Sequence, residues 1–382
     1  MKIMTTNSKP WRIAVITPRF TLVGGGERYC VETCRHLAQE PEIELTVICE
    51  ELIDPLPGVR FIEIGRRDFP RFLKKGRFAK RVRAVMAREG FDLVHSHQQV
   101  PGAHVCSLHG TPHQTWVTQV KGKRRASPFD RRLVALEREM LLHPDCRAVL
   151  PVSSLVQAAY EEVYDFSEKQ IHLAPPAVDE QWLAGSVPGK ADRQAVRDRL
   201  GFSGTDFVVC FVSMNWPHKG LDLLIRVLGK LNQDTGSKAK LLVVGKGDEP
   251  TYAQRAKRAG VDIVFAGIVR EGMFDLYAAS DVFALPSKWD AFAMVVTEAM
   301  TASLPALISD CTGARDIVVD GENGYVIGLE NEEAWCGALA GLMRDEPLRK
   351  RMGSAARKTA ATLSWKRTAD SFVEMYRKLL ES

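Results

Sequence analysis

Two acids eight positions apart, Asp290 and Glu298, stand where an apolar run gives way to a helix-forming stretch. Val282 to Leu285 is apolar and is stopped by Pro286, which suits a buried strand. Phe292 to Ala302 is rich in Ala and Met and long enough for a helix, and Leu304 to Ile308 is apolar again. A strand, loop, helix, strand unit builds parallel sheet, whose ligands sit at the carboxyl ends of strands. At a rise of 1.5 Å per residue the two acids lie roughly 12 Å apart along the helix axis. That is the length of a sugar, a pyrophosphate and a ribose laid end to end. The free amides of Phe292, Ala293 and Met294 would face the gap, where a helix start suits phosphate. By spacing alone, the same pair equally describes an N-cap Asp and a surface Glu.

Other residues with usable chemistry stand at further strand ends. Phe207 to Ser213 reads as a strand, Met214 to His218 as a loop, and Lys219-Gly220 opens a helix to about Leu231. A lysine at that point is placed to contact phosphate, or is a capped surface residue. Arg12 to Thr17 is a first strand, followed by Gly24-Gly25-Gly26-Glu27-Arg28 and a helix from about Tyr29 to Ala38. A glycine turn there lets a ligand approach the backbone, or is an ordinary tight turn. Neither this turn nor Gly245 to Pro250 matches G-x-G-x-x-G, so a dinucleotide fingerprint is absent. His95 and His97 share a face of the strand beginning at Phe91, and His109 ends the next strand before Gly110. Their spacing fits no metal-ligand pattern and no carboxylate accompanies them, so no metal is expected. His109 is better placed for a hydrogen bond to a ligand.

The elements that must position these groups alternate along the chain. Its 382 residues, 45% hydrophobic, suffice for two globular domains. Pro175-Pro176-Ala177-Val178-Asp179 reads as a stiff link between two α/β halves. This predicts one domain over 1–175, a second over 176–365, a ligand cleft between them, and a last helix within 366–382 that packs back on the first. Trp116 to Arg132 reads as a long polar loop leading into a helix over Leu133 to Leu142.

Net charge is +5 but uneven. Residues 66–88 hold ten Lys or Arg against Asp68, and 121–132 hold six against Asp130, which leaves about −9 for the remainder. Such a split points to an anionic partner. Phe69, Phe72, Phe78 and Val82 interleave with the first cluster, which suits an anionic membrane surface or a solvated face. Lys121, Lys123, Arg124 and Arg125 form the second cluster. No aromatic-interleaved nucleic-acid module is evident, so no nucleic-acid partner is expected. Eight scattered Cys without a CxxC pair read as reduced cytoplasmic thiols, and the polar start lacks a signal-peptide core. No run of about 18 apolar residues is present to span a membrane. The expected location is the cytoplasm, peripherally at the inner face of the cell membrane.

Together these residues resemble the family 4 (group 1) retaining glycosyltransferases of the GT-B fold, over nearly the whole chain. The resemblance rests on Gly24 to Arg28, His95, His109-Gly110, Pro176 to Asp179, Lys219-Gly220, Gly245-x-Gly247, Ala279 to Ser287 and the acidic pair ending Glu298-Ala299-Met300. The glycine turn, basic loop and helix around Arg131 to Glu139 also look like the lipopolysaccharide-core glucosyltransferases of that family. The resemblance implies a nucleotide-sugar donor, most readily a UDP-sugar, and hexose transfer with retention to a glycolipid or cell-surface glycan, without metal or other cofactor. It implies that Asp290 contacts donor-sugar hydroxyls, Glu298 the ribose, and His109 a sugar hydroxyl. Lys219 would neutralise the diphosphate leaving group, aided by amides of Ala293, Met294 and Val295, while Gly25 and Gly26 give backbone room beside the phosphates. The chain departs from the family twice. Asp290-Ala291-Phe292-Ala293 stands where Glu-Gly-Phe-Gly is usual, and Met214 stands where an Arg usually binds phosphate, with His218 or Asn215 as substitutes. The alternatives are an epimerase or phosphorylase of the same fold, marked by epimerisation or hydrolysis of a UDP-sugar without acceptor, and a basic membrane adaptor without donor affinity.

Overall fold

The computed structural model describes residues 9–66, 69, 71–120, 125–178, 183, 192–236, 238–269 and 271–381. The chain forms two compact units, Met1–Pro176 with Trp365–Ser382, and Ala177–Ser364.

The first unit is a seven-stranded parallel sheet of β1 (Trp11–Ile16), β2 (Ile43–Cys49), β3 (Arg60–Glu63), β4 (Leu93–Ser96), β5 (Val105–Leu108), β6 (Ala148–Pro151) and β7 (Gln170–Ile171). Their spatial order is β3-β2-β1-β4-β5-β6-β7. Central strands such as β1 and β4 are buried, β1 over Ile13–Ile16 and β4 throughout, because helices cover both faces. The helices are α1 (Gly25–Leu37), α2 (Lys74–Glu89), α3 (Pro128–Leu141) and α4 (Ser154–Glu161), joined by the chain's last helix. Strand order reverses between β1 and β4, and a doubly wound sheet opens its ligand crevice at the carboxyl ends of such a pair. The glycines follow β1, and His97 follows β4.

The second unit is a six-stranded parallel sheet of β8 (Phe207–Ser213), β9 (Ala239–Gly245), β10 (Asp262–Gly267), β11 (Val282–Leu285), β12 (Ala306–Ser309) and β13 (Gly324–Ile327), in the order β10-β9-β8-β11-β12-β13. Its helices are α5 (Arg193–Arg199), α6 (Leu221–Thr235), α7 (Glu249–Ala259), α8 (Met273–Ala279), α9 (Met294–Thr301), α10 (Glu332–Arg344) and α11 (Glu346–Ala361). Here the order reverses between β8 and β11. The loops that follow those two strands carry Lys219 and Asp290.

Several expected bounds shift, each for a local reason. Helix α1 starts at Gly25 rather than Tyr29, so Gly24 alone, at φ 102°, makes the turn, and Gly25 and Gly26 are helical. Trp116–Val120 is a π-helical turn rather than loop. Helix α3 starts at Pro128, where the Ser127 hydroxyl accepts from the Asp130 amide and the Asp130 side chain reaches back, a capping box. The exposed insertion expected of Phe78 is wrong: Phe78 and Val82 are the buried face of α2, while Phe69 and Phe72 are 87% and 55% exposed. Asp179, Lys121, Lys123 and Arg124 lie outside the described residues. Among the described residues no helix is long and apolar enough to cross a membrane.

The last helix, α12 (Trp365–Glu381), packs on α1 in the first unit. Tyr29 meets Trp365 and Phe372 edge-on or tilted, at ring-centroid distances of 5.4 and 6.5 Å. From α12, Tyr376 reaches the imidazole of His95, with its hydroxyl 2.6 Å from Nδ1, and Ser107 Oγ lies 2.7 Å from Nε2. His95 is therefore a buried core residue. Its ring stacks on His97 at 4.6 Å, and His97 stacks on His109 at 5.2 Å. Stacked rings do not converge their lone pairs, and among the described residues no group of three or more His, Cys, Asp or Glu is arranged to hold a metal ion.

Burial disfavours charge on this stack. It lowers the His109 pKa from 6.5 to about 4, and it lowers His95 well below 6.5 with help from His97 and His109. An unfolded chain protonates these rings near pH 6.5 while the folded one resists, so stability is full above that pH and falls on acidification toward pH 4. Between pH 7 and pH 5 the His109 contribution is about 2 kcal/mol. Urea unfolding at the two pH values checks this: His109→Gln should lose about 2 kcal/mol less than wild type. An equal loss in both proteins would mean that the ring is not held neutral.

Candidate active site

In the second unit, Lys219 and Asp290 meet. Lys219 Nζ donates to Asp290 Oδ2 and, at 3.3 Å, to the Trp289 carbonyl oxygen. The side chains are 21% and 18% exposed, so the pair is open to a ligand. Each partner is held by backbone. Gly220 caps α6 at φ 81°, and a β-carbon there would overlap the Pro286 carbonyl oxygen. Only glycine lets the β8 loop lie this close to the β11 loop. Asp290 donates its amide to the Cys311 carbonyl oxygen (2.9 Å) and accepts from the Gly313 amide (2.9 Å). Ser309 Oγ donates to the Ser287 carbonyl oxygen (2.6 Å) and lies 2.9 Å from Thr312 Oγ1. Sequence reasoning missed this brace of Ser309, Cys311 and Thr312. Hydroxyls just beyond a buried strand were its one visible signal.

Both oxygens of Asp290 are engaged, Oδ2 by Lys219 and Oδ1 by the Phe292 amide at 3.3 Å. Helix α9 begins at Met294, two residues later than the sequence predicts. Its N-cap Ala293 is left-handed, at φ 67° and ψ 73°, and makes no side-chain cap. That conformation costs a β-carbon-bearing residue about 1–2 kcal/mol, and it is where the resembling family carries Gly. The amides of Met294 and Val295 open the helix with the positive end of its dipole. About one turn on, Glu298 Oε2 accepts from the Tyr277 hydroxyl at 3.1 Å, a partner on α8 that the sequence did not disclose. Burial and the Glu298 charge together hold the Tyr277 phenol protonated.

The loop after β8 clarifies the missing arginine. Met214 is 62% exposed and offers no charge. Asn215 is exposed; its amide takes Ser213 Oγ at 2.8 Å and its carbonyl oxygen the Lys219 amide at 3.0 Å. His218 has a pKa lowered first by burial and then by the Lys219 charge, and it bonds the Trp289 backbone. At neutral pH it supplies a neutral imidazole, so it does not replace a guanidinium. Lys219 is left as the cation of this loop. The glycines of Gly245-x-Gly247 are packing devices. A β-carbon on Gly245 would strike the Ser213 carbonyl oxygen, and one on Gly247 the buried Trp216 ring.

In the first unit, His109 ends β5 with Gly26 against its ring, where a β-carbon on Gly26 would lie 3.8 Å from His109 Cγ. His97 Nδ1 is 2.9 Å from His109 Nε2. Gly25 and Gly26 are the first residues of a helix without a side-chain cap. Arg125, the described member of its cationic cluster, is exposed.

A cavity of about 830 Å³ lies at the opposite, amino-terminal edge of the second sheet, lined in part by Arg193, Arg349 and Asp281. Arg193 and Arg349 are occupied. Arg193 bonds the Ser280 carbonyl oxygen at 2.6 Å and Asp281 at 2.9 Å, and Arg349 bonds the Leu342 carbonyl oxygen at 2.6 Å. They serve the carboxyl ends of α8 and α10, where cations are favoured.

Comparison with known proteins follows this division. Residues 23–182 match the model of Glycosyltransferase Family 4, and 192–359 that of Glycosyl transferases group 1. A D-inositol 3-phosphate glycosyltransferase of Xylanimonas cellulosilytica is 26% identical over 393 residues, covering 92% of this chain and 91% of the relative. Among solved structures, WaaG, a glycosyltransferase involved in lipopolysaccharide biosynthesis, superposes with a TM-score of 0.78 at 19% identity, covering 95% of this chain and 99% of that one. HepE of Anabaena in complex with UDP-glucose gives 0.71 at 17% identity, covering 96% and 100%. At these identities the structural likeness is one of fold. Matched by the two models in succession, the chain belongs to the group 1, family 4 glycosyltransferases and has the GT-B fold of two Rossmann-like domains.

Proposed function

We propose that this glycosyltransferase moves a hexose, with retention, from a UDP-sugar to a glycolipid or cell-surface glycan, at the cytoplasmic face of the membrane. One observation carries the reading: Lys219 pairs with Asp290 where strand order reverses in the second sheet, beside helix α9, which opens with the amides of Met294 and Val295 and carries Glu298 about one turn along. Lys219 and the amides meet the charge that grows on the departing diphosphate. Glu298, already oriented by Tyr277, accepts from the ribose hydroxyls. Asp290 turns to the donor sugar once phosphate takes Lys219 from it. His109 keeps the hydrogen bond to a sugar hydroxyl that the family resemblance gives it. HepE of Anabaena, solved in complex with UDP-glucose, supports the donor class. For the acceptor, WaaG and the relative from Xylanimonas cellulosilytica suggest two candidates, lipopolysaccharide core and inositol 3-phosphate. The basic first unit suits an anionic acceptor of either kind.

The test is a transfer assay with a UDP-hexose panel and both acceptors. Lys219→Ala should lower turnover about 10²–10³-fold, the cost of one lost transition-state contact, while its unfolding midpoint stays near wild type. Wild-type turnover should persist in EDTA, because lysine and helix amides carry the charge a divalent ion would carry. Near-normal turnover in Lys219→Ala, or EDTA loss restored by a divalent ion, would refute these roles.

Exposed Phe69 and Phe72 favour a second property, peripheral binding to anionic membrane. They stand beside α2, where Lys75, Lys80 and Arg83 are exposed. The charge is smaller than composition suggests: Arg81 donates to the Gly65 carbonyl oxygen at 2.8 Å, and Arg83 lies 3.6 Å from Glu139. Each engaged cation contributes about 1 kcal/mol near an anionic surface. Co-sedimentation should show binding to phosphatidylserine vesicles but not to neutral ones, weakened by salt and by Phe69→Ser with Lys75→Gln and Lys80→Gln. No sedimentation with anionic vesicles at low salt would end the membrane reading. Loss only on replacing Lys121, Lys123, Arg124 and Arg125 would shift it to that cluster.

A further inference from the structure

His97 lies between two imidazoles and bonds only one. His95, stacked on it, has both nitrogens filled by the Tyr376 and Ser107 hydroxyls. His97 Nδ1 faces His109 Nε2 at 2.9 Å. His97 Nε2 is buried and meets no hydrogen-bond partner among the described residues.

Neutral imidazole carries one proton on either of two nitrogens, so the pair has two wirings. In the first, His97 holds its proton on Nδ1 and donates to a bare His109 Nε2, which puts the His109 proton on Nδ1. In the second, His109 donates from Nε2 to a bare His97 Nδ1, and the His97 proton moves to Nε2. There it is a buried N–H with no acceptor. Orphaned buried donors are rarer and costlier than unused lone pairs. The first wiring leaves only a lone pair at Nε2. Burial that keeps His109 neutral excludes a third, doubly protonated form near pH 7.

We infer that His97 is a positioning residue that locks His109 as its Nδ1–H tautomer, so that His109 donates a hydrogen bond to a hydroxyl oxygen of the donor hexose. The tautomer stands on the imidazole geometry alone, and the identity of the acceptor oxygen rests on the transferase reading above. A hydroxyl so bound must accept from His109 and send its own proton elsewhere, which orients the sugar.

The experiment is NMR of ring nitrogens in protein labelled with ¹⁵N-histidine. His109 signals, identified by their loss in His109→Gln, should show a protonated Nδ1 and a bare Nε2 in ligand-free wild type. His97→Asn, whose amide N–H occupies the place of Nδ1–H, should preserve that tautomer. His97→Phe should lose it to a mixture or to Nε2–H. A protonated Nε2 in wild-type His109, or an unchanged tautomer in His97→Phe, overturns the inference, and the wild-type spectrum needs no variant to fold. Calorimetry tests the ligand arm: His97→Phe should weaken UDP-glucose about tenfold and leave UDP unchanged, with most of the loss restored in His97→Asn. Equal weakening of UDP and UDP-glucose would make His97 merely structural. If wild type binds neither nucleotide, the transferase reading fails while the tautomer result stands.

Discussion

In the proposed reading, the ion pair of Lys219 and Asp290 is the interaction on which the second unit's chemistry depends. As a stabilising contact it is minor, since a pair this open to water contributes about 0–1 kcal/mol. Its importance lies in what it occupies. Lys219 is the cation of a loop that carries Met214 in place of an arginine, and in the ligand-free protein its charge is directed at Asp290. On the proposed reading, a diphosphate must displace a carboxylate before it gains the ammonium. Asp290, one methylene shorter than the usual acid, is set against Lys219 by a main chain clamped to Cys311 and Gly313. Two adjacent loops reach this close only because Gly220 has no β-carbon to meet Pro286.

The first unit solves a different problem, that of keeping polar rings neutral in a core. Tyr376, from a helix at the far end of the chain, and Ser107, from a strand, fill both nitrogens of His95. His97 and His109 then satisfy each other on one side. The stack runs from a buried, fully satisfied ring to a part-exposed one at the end of β5. His95 leaves no nitrogen for another partner, and His97 and His109 leave one each. Packing of α12 on α1 thus sets the environment of the histidine stack from a helix remote in sequence.

Local pattern made much of this legible. The opening strand of the acidic unit, Val282–Leu285, has the bounds its apolar run and Pro286 predict, because a fully buried parallel strand has no other use for such a run. Lys219 and Asp290 fall at strand ends as expected, but their pairing follows from strand order, which no local window contains. Ala293 gave no sign of a left-handed conformation, since nothing in an alanine asks for one; the strain is imposed by the clamp on Asp290 and the start of α9. The capping box at Ser127 and Asp130 lies inside a stretch that reads as loop and was missed, and it is what moves α3 forward to Pro128. The cations of residues 66–88 misled as a sum, because Arg81 and Arg83 turn to partners on the protein. The contact of Tyr376 with His95 spans 281 residues, and only the fold reveals it.

If diphosphate takes Lys219 from Asp290, removing the competing charge must strengthen phosphate binding. The most direct measurement is the calorimetric affinity of UDP, which lacks the sugar, for wild type, Asp290→Asn and Lys219→Ala. Asp290→Asn should bind UDP several-fold more tightly than wild type, and Lys219→Ala more weakly, about tenfold for the loss of one charge-assisted hydrogen bond. Affinity unchanged or reduced in Asp290→Asn would contradict the competition, and unchanged affinity in Lys219→Ala would remove Lys219 from the phosphate site.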